Sequence, residues 1–163
     1  MTRRGTAGIA TAITLLASGS ASAAPGAWLV VNESPSVPTG IYVRSQDPLR
    51  IGVIVAVRPP PAARGYLVTL GAGPEARLLK RVAAMAGAPV CRRSDVLTWP
   101  RGAARVRDRD RLGQRLPQWR GCRPLAAGEL LVMGDTPTSF DGRYFGPVRT
   151  SDIDGVYAEV VRW

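Results

Sequence analysis

The sequence predicts a mainly β domain that follows an export segment. Its apolar runs are short and are regularly broken by 18 glycines and 14 prolines, which favours strands and turns over long helices. The last apolar run, residues 153–161, nearly alternates apolar and polar side chains, as a half-buried strand does. A length of 163 residues and a hydrophobic content of 45% suit one globular domain with its own core.

The first 24 residues, 1–24, have the three parts of an export signal. Arg3 and Arg4 make a positive start, residues 7–17 are a short apolar run, and residues 21–23 (Ala-Ser-Ala) are a small-residue cleavage pattern. The apolar run is too short to span a bilayer, but a stretch that continues to Val31 could act as an uncleaved membrane anchor. We therefore expect the protein in the periplasm, at the outer face of the cytoplasmic membrane.

Five strands are predicted in the remaining domain, residues 25–163. They cover residues 49–57, 66–70, 96–99, 130–133 and 153–161. The run at residues 78–85 fits a helical period about as well as a buried strand, and both interpretations stay open. Pro59-Pro60-Pro61 predicts a turn or a surface loop.

Two cysteines, Cys91 and Cys122, follow the export segment. In an oxidising compartment they favour a disulfide, which would close residues 91–123 as an insertion and stabilise the fold by about 3–4 kcal/mol. A metal site is the weaker alternative, because two cysteines need further ligands and the sequence contains no histidine to supply them. No metal and no other cofactor are predicted.

The chain is strongly basic. Its formal net charge of +10 falls to +8 without Arg3 and Arg4, which are two of its 22 cationic side chains. Much of the charge lies in residues 92–123, where nucleic acid and anionic lipid head groups are both conceivable partners. Export disfavours nucleic acid, and only Trp99 and Trp119 could stack on bases there. We expect a solvated or membrane-facing surface and no nucleic-acid partner.

Lys80 is the only lysine in the chain, which has no histidine. A nitrogen base that works near neutral pH must therefore be this amine, because guanidinium groups stay protonated. The apolar residues around it would desolvate the ammonium and lower its pKa from ~10.4, as a general base requires. The alternative is compositional, since an arginine-rich, Ala/Gly/Pro-rich chain is typical of a G+C-rich genome, in which lysine is scarce.

A partner nucleophile is predicted at Ser36, in the segment Ser34-Pro35-Ser36-Val37-Pro38. Prolines on both sides of Ser36 hold the backbone extended, so its hydroxyl is fixed at low entropic cost. The alternative is an ordinary Ser/Pro-rich linker behind the export segment. Taken by itself, this segment favours the linker.

Three segments together resemble the motifs of the signal peptidase family that uses a serine and a lysine, and they occur in the family's order. Residues 34–39 resemble its nucleophile box, residues 79–87 its Lys-Arg-Val base box, and residues 134–146 its Gly-Asp-Asn…Ser-x-Asp-Ser-Arg box. The resemblance covers nearly all of residues 25–163. It implies a coiled β-sheet catalytic domain and the activity of a serine endopeptidase.

Within that family the chain is similar to the conjugal-transfer, TraF-type branch. The similarity lies in Asn-x-x-x-Ser-x-Pro-x-Gly-x-Tyr around Ser36, in the pair Cys91 and Cys122, and in the segment Asp-Gly-Arg-Tyr-Phe-Gly at residues 141–146. That branch matures the pilin precursor of a type IV secretion apparatus. The resemblance therefore implies a membrane-associated protein precursor as the substrate.

The resemblance also implies roles for individual residues. Ser36 corresponds to the nucleophile and Lys80 to the general base. The Ser34 hydroxyl and the Ser36 N–H correspond to the two donors of an oxyanion hole. Ser139 corresponds to the residue that orients the lysine amine.

The third motif implies a structural ion pair between Asp141 and Arg143, behind the site. Asp141-Gly142 is also a hairpin turn signal, and both interpretations can hold together. Asp135, in the same motif, is expected in a turn and without a chemical role.

Three other classes of function stay open. A general signal peptidase that removes signal peptides would be favoured by a two-span anchor, which this sequence does not predict. A self-cleaving repressor of the Ser-Lys type would need an amino-terminal DNA-binding domain, for which the sequence has no pattern. The third class is a non-catalytic basic envelope protein, in which the positive charge and the disulfide are present but Ser36 and Lys80 catalyse no reaction.

Overall fold

The computed structural model describes residues 26–163, so the predicted export segment, residues 1–24, lies outside the described residues. The helices are α1 (Pro61–Thr69) and α2 (Gly142–Phe145), and Thr150–Asp152 form a 3-10 turn. None of the described helices is long and apolar enough to cross a membrane. In chain order the strands are β1 (Leu29–Asn32), β2 (Gly40–Ser45), β3 (Ile54–Val57), β4 (Leu78–Met85), β5 (Pro89–Arg93), β6 (Val96–Trp99), β7 (Gly102–Arg105), β8 (Cys122–Pro124), β9 (Glu129–Met133), β10 (Val148–Arg149) and β11 (Ile153–Arg162).

These strands form two antiparallel sheets within residues 26–163. The larger sheet has the strand order β1-β2-β11-β3-β4-β9-β10, and the smaller has the order β7-β6-β5-β8. Two strands, β11 and β3, therefore lie between β2 and β4, which makes a span of about 14 Å at the usual strand spacing. The prediction of a mainly β fold is confirmed.

Strand β3 lies at the centre of the larger sheet and is buried at all four positions. Its unbroken apolar sequence, Ile-Val-Ala-Val, is typical of a strand that is covered on both faces. Val55 belongs to one core cluster with Val132, and Ala56 belongs to another with Tyr42. Because β4 pairs directly with β3, with Val55 opposite Lys80, the lysine backbone lies at the edge of this core.

Three predicted strands are confirmed: residues 96–99 form β6, residues 130–133 lie in β9, and residues 153–161 lie in β11. The open choice at residues 78–85 is resolved as a strand, β4, which pairs with β3 on one side and β9 on the other. A helix there would leave the edges of β3 and β9 that face residues 78–85 without backbone hydrogen-bond partners. The strand predicted at 49–57 begins only at Ile54, after Gly52 turns the chain at a φ of 95°.

The strand predicted at residues 66–70 is wrong, because these residues lie in helix α1 and its carboxyl-terminal cap. The helix begins at Pro61, where a proline costs no hydrogen bond because the first N–H groups of a helix have no partner within it. The predicted turn or loop at Pro59-Pro60-Pro61 thus ends one residue earlier than expected. Ala63 and Leu67, four residues apart, are the buried positions of α1.

The smaller sheet consists of the predicted insertion, residues 91–123, and its immediate flanks. Cys91 on β5 lies opposite Cys122 on β8, and the two form a disulfide, which stabilises the fold by about 3–4 kcal/mol in the loop-entropy account. The Trp119 N–H donates to the Tyr144 carbonyl at 2.8 Å. A side chain at Gly146 would overlap the Trp119 ring, so this glycine lets the insertion pack against α2.

Candidate active site

Two segments that are distant in sequence meet at the candidate site. Ser36 lies in the loop between β1 and β2, and Lys80 lies on β4. Because β11 and β3 separate these strands in the sheet, the loop reaches Lys80 only where the sheet curls. The Asp135 N–H donates to the Ser36 carbonyl at 2.6 Å, which ties the serine loop to the segment that follows β9.

Asn32, the last residue of β1, holds the serine loop in shape. Its buried side-chain amide lies within hydrogen-bond distance of three carbonyls in the loop, those of Ser34 (2.8 Å), Val37 (3.1 Å) and Pro38 (2.9 Å). Its carbonyl oxygen accepts from the Ser34 N–H at 3.2 Å. No role was predicted for Asn32 from the sequence, although an asparagine at the start of a Ser/Pro-rich loop is a signal for this kind of side-chain turn.

Ser36 and Lys80 form a buried hydrogen-bonded pair. The Lys80 Nζ lies 2.8 Å from the Ser36 Oγ and also donates to the Leu79 carbonyl at 3.0 Å. Lys80 is 4% exposed and Ser36 is 6% exposed. A nucleophile and a base within 3 Å of each other, shielded from bulk water, are the arrangement that general-base activation of a hydroxyl needs.

The electrostatics of the site suit a lysine that acts as a base. Burial lowers the pKa of Lys80 from 10.5 to about 8, against the opposing pull of the Asp141 carboxylate. The cause is desolvation, which disfavours the charged ammonium. A substantial fraction of the amine is therefore neutral just above neutral pH and can accept a proton.

Ser34 lies directly beside this pair. Its Oγ is 3.1 Å from the Ser36 Oγ, and it accepts a long hydrogen bond of 3.4 Å from the Ser36 N–H. The two groups predicted as an oxyanion hole therefore lie next to each other and contact each other. An incoming carbonyl oxygen would replace this long bond.

Ser139 lines the same cavity as Lys80, but it does not contact the lysine amine. Its buried Oγ has no hydrogen-bond partner among the described residues, and the two hydrogen bonds of the Lys80 Nζ go to Ser36 and Leu79. A Cβ at Gly134 would overlap Ser139 and lie 2.9 Å from the Ser36 carbonyl oxygen. Gly134 therefore leaves the space in which the Ser139 hydroxyl approaches the site.

Asp141 and Arg143 form a buried ion pair behind this cavity. The Asp141 carboxylate accepts from the Arg143 Nε at 2.8 Å and Nη2 at 2.9 Å, and from the Gly134 N–H at 2.8 Å. Arg143 also donates to the Pro137 and Thr136 carbonyls. The pair thus fixes both ends of the segment that carries Ser139.

Asp141 also accepts from the backbone N–H of Arg143 at 3.0 Å, so it caps the amino terminus of α2. The hairpin interpretation of Asp141-Gly142 is therefore wrong, because the aspartate side chain begins a helix instead. The Asp135 carboxylate makes a bidentate ion pair with Arg81, at 2.9 and 2.7 Å, rather than a hydrogen bond to the side chain of Ser36 or Lys80.

A cleft of about 510 Å³ opens in front of the pair. We call it the Ser36 cleft. Its wall combines the polar groups Ser34, Ser36, Lys80 and Ser139 with apolar side chains that include Leu79 and Phe140. A cavity of this size with a few converging polar groups is typical of a ligand-binding site.

Residues 6–163 match the family described as signal peptidase, peptidase S26. The chain belongs to this family. As a member of the S26 family it is a signal-peptidase-like peptidase with a protein substrate. The family match covers all three segments on which the resemblance was based.

The S26 chain is also similar to individual proteins. It is 33% identical over 156 residues to the plasmid transfer protein TraF of Escherichia coli, covering 88% of each chain. It is 31% identical over 175 residues to the probable conjugal transfer protein TraF of Sinorhizobium fredii, covering 96% of this chain and 88% of that one. Among solved structures, a signal peptidase I of Enterococcus faecalis is 22% identical with a TM-score of 0.40, covering 69% of this chain and 98% of the other.

Proposed function

We propose that this S26 peptidase is a serine endopeptidase in which Ser36 is the nucleophile and Lys80 the general base. The 2.8 Å contact between the Lys80 Nζ and the Ser36 Oγ in a buried site is the observation that supports this most directly. Because burial holds the pKa of Lys80 at about 8, the neutral amine is accessible under ordinary conditions.

In the proposed reaction the Ser36 Oγ attacks the scissile carbonyl carbon while its proton passes to the Lys80 Nζ. The oxyanion of the tetrahedral intermediate accepts from the Ser36 N–H and the Ser34 hydroxyl. Lys80 then returns the proton to the leaving amine, the peptide bond breaks, and an acyl-enzyme remains on Ser36. A water molecule or an amine attacks this ester and loses its proton to Lys80. Lys80 passes that proton to the Ser36 Oγ as the acyl bond to Ser36 breaks, which releases the product and restores the serine and the neutral amine. The role that we propose for Ser139 is to orient the lysine amine, which its location in the same cleft and its unpartnered buried hydroxyl support.

The pH dependence tests the role of Lys80. Processing should rise about tenfold for each unit of pH below about 8 and level off above it, because only the neutral amine accepts the serine proton. The rate rises with pH because the neutral amine is the active form, and the lowered pKa sets where the rate levels off. A solvated amine would let the rate rise until about pH 10. The measurement is kcat/KM for a quenched peptide from pH 5 to 10. A rate that is flat across pH 5–9 would contradict the proposal.

The proposed substrate is the pilin precursor of a conjugative type IV secretion system. The similarity to proteins named plasmid transfer protein and conjugal transfer protein supports this over most of the chain. The alternative is a general type I signal peptidase that removes signal peptides from exported preproteins. The second alternative is a non-catalytic basic envelope protein.

A comparison of two substrates separates these proposals. We expect the purified protein to cleave the pilin precursor of its own conjugation system at least about tenfold faster than a preprotein with an ordinary signal peptide. The measurement is mass spectrometry of the products over time. Faster cleavage of the preprotein would favour the general signal peptidase, and cleavage of neither by the active-site-intact protein would favour the envelope protein.

We also propose that the protein works in the periplasm, against the outer face of the cytoplasmic membrane. Six apolar side chains at the β1 edge of the larger sheet are exposed, by between 39% and 73%: Trp28, Leu29, Val31, Val160, Val161 and Trp163. Register places Val31 and Val161 on either side of Ile41. This apolar face lies beside the serine loop and begins where the chain enters from its amino-terminal segment, which supports contact with a bilayer.

Vesicle binding tests the apolar face. Replacing Trp28 and Trp163 together by serine should weaken the binding of the protein to phospholipid vesicles by about tenfold or more. The reason is that two large amphipathic rings are removed from the membrane interface. The measurement is flotation of the full chain with vesicles, and Val68→Ser, an exposed apolar residue on α1, is the control. Equal loss in the control would contradict the assignment.

A further inference from the structure

A second cavity of about 300 Å³ adjoins the Ser36 cleft. It lies between the loop that joins β7 to β8, helix α1 and the segment before α2. We call it the arginine cavity, after three of the residues that line it. Its lining includes Tyr66, Arg107, Arg109, Asp110, Arg111 and Phe140.

The arginine cavity lies next to the Ser36 cleft. Thr138 and Phe140 line both of them. The Phe140 ring packs against Tyr66, with centroids 4.6 Å apart, and against Tyr144 at 5.6 Å. A polypeptide bound at Ser36 that continues over Thr138 and Phe140 therefore crosses an aromatic ridge and reaches the arginines.

The cavity has an excess of positive charge. Its one carboxylate, Asp110, is engaged by the Tyr66 hydroxyl at 2.9 Å and by the N–H groups of Leu112 and Gln114. Arg109 donates to the Gly113 carbonyl. Arg107 and Arg111 form no ion pair with any residue in 26–163. Two exposed guanidinium groups are thus free to bind an anion.

The loop that carries the arginines is held in place at both ends. Val106 and Leu116, which flank it, are buried in the same core cluster. The Leu116 N–H donates to the Asp108 carbonyl and the Asp110 N–H donates to the Gln114 carbonyl, both at 2.9 Å. The guanidinium groups therefore extend from a fixed backbone, which lowers the entropic cost of binding a ligand.

We propose that the arginine cavity is a substrate subsite that binds a carboxylate of the precursor, a few residues from the scissile bond. The inference rests on the proposed function, in which a polypeptide lies in the Ser36 cleft. Guanidinium groups match carboxylates in geometry and charge. The carboxylate can come from an Asp or Glu side chain or from the carboxyl terminus of the precursor.

The position of the cavity favours a polypeptide over a lipid. The exposed apolar face lies at the β1 end of the larger sheet, whereas the insertion follows β4 and precedes β9, towards the other end of the strand order. The arginine cavity instead shares its wall with the Ser36 cleft. Lipid binding through these arginines is therefore an outcome that would overturn the proposal.

The test measures binding without cleavage, in the full chain with Ser36→Ala. Four acetylated, alanine-based peptides of equal length serve as probes: one with two internal glutamates and an amidated end, its glutamine counterpart, an all-alanine peptide with a free carboxylate, and its amide. We expect at least one carboxylate peptide to bind about fivefold to tenfold more tightly than its uncharged counterpart in NMR titrations. The glutamate and free-acid peptides distinguish the two sources of the carboxylate.

The preference should disappear in the double variant Arg107→Gln, Arg111→Gln. The matched control, Arg101→Gln with Arg120→Gln, removes the same charge from exposed positions of the insertion outside the cavity and should keep the preference. No preference for either carboxylate, equal loss in the control, or a loss of binding to phosphatidylglycerol vesicles alone would overturn the proposal. Because the binding measurement needs no active Ser36, it can succeed or fail independently of the Ser36–Lys80 proposal.

Discussion

Replacing Ser36 by alanine, or Lys80 by alanine or arginine, should reduce precursor processing by at least about 10⁴-fold. Ser36→Ala removes the atom that attacks the carbonyl, and Lys80→Ala removes the atom 2.8 Å away that takes its proton. Lys80→Arg keeps the positive charge but cannot release a proton at working pH. The arginine variant therefore separates a base from a charge that merely stabilises the site.

The measurement is kcat/KM for processing, with circular dichroism to show that each variant is folded. Ser34→Ala should lose less, about 10²–10³-fold, because it removes one of two oxyanion donors. Ser151→Ala, an exposed serine on the 3-10 turn, is the control and should keep full activity. Processing that survives in any of the three main variants would remove the Ser36–Lys80 assignment.

The second large effect is expected at the buried ion pair. Asp141→Ala should lower the free energy of unfolding by about 3–5 kcal/mol, because it leaves the Arg143 guanidinium buried without its counter-charge. Asp141 is fully buried and Arg143 is 3% exposed. The same substitution releases the Gly134 N–H, so the segment before Ser139 loosens and activity falls as well.

Urea unfolding of the single and double variants measures this effect. The exposed pair Arg123–Glu129 is a matched control, since it is also bidentate, at 2.6 and 2.9 Å, but lies at the surface. Its removal should cost no more than about 1 kcal/mol. Equal losses at the two pairs would show that burial does not set the cost. The double variant Asp141→Ala, Arg143→Ala should recover part of the loss, because no uncompensated charge then remains.

Local patterns in the sequence predicted four of the eleven strands, β3, β6, β9 and β11, and left β4 open. They failed where a short apolar run has no unique period. Residues 66–70 look like a strand by themselves, yet they belong to a helix that begins at Pro61 and buries Ala63 and Leu67. Residues 78–85 fitted both periods, and β3 and β9 on either side decide in favour of a strand. In both cases the neighbours in space, which no local window contains, made the difference.

Ser36 and Lys80 could be named from the sequence because their residue types are rare in this chain or specially placed. One lysine, no histidine, and a serine between two prolines limit the chemistry before any contact is known. The contact itself is tertiary, since the two residues are 44 positions apart. Ser36 lies in the loop before β2, and two other strands separate β2 from β4, which carries Lys80. The role of Asn32 was missed for the same reason. The three carbonyls that its side-chain amide contacts come within its reach only in the folded loop.

By itself the sequence determined the mainly β class, the residue types able to do acid–base chemistry, and the family to which the three motifs belong. These conclusions depend on the composition and on the order of the motifs along the chain, and neither requires knowledge of the folded structure. Only the tertiary structure decided the lowered pKa of Lys80, the burial of the Ser139 hydroxyl without a hydrogen-bond partner, and the position of the arginine cavity next to the Ser36 cleft. Each of these depends on burial from water by segments that are distant in sequence, and the curl of the sheet brings those segments together.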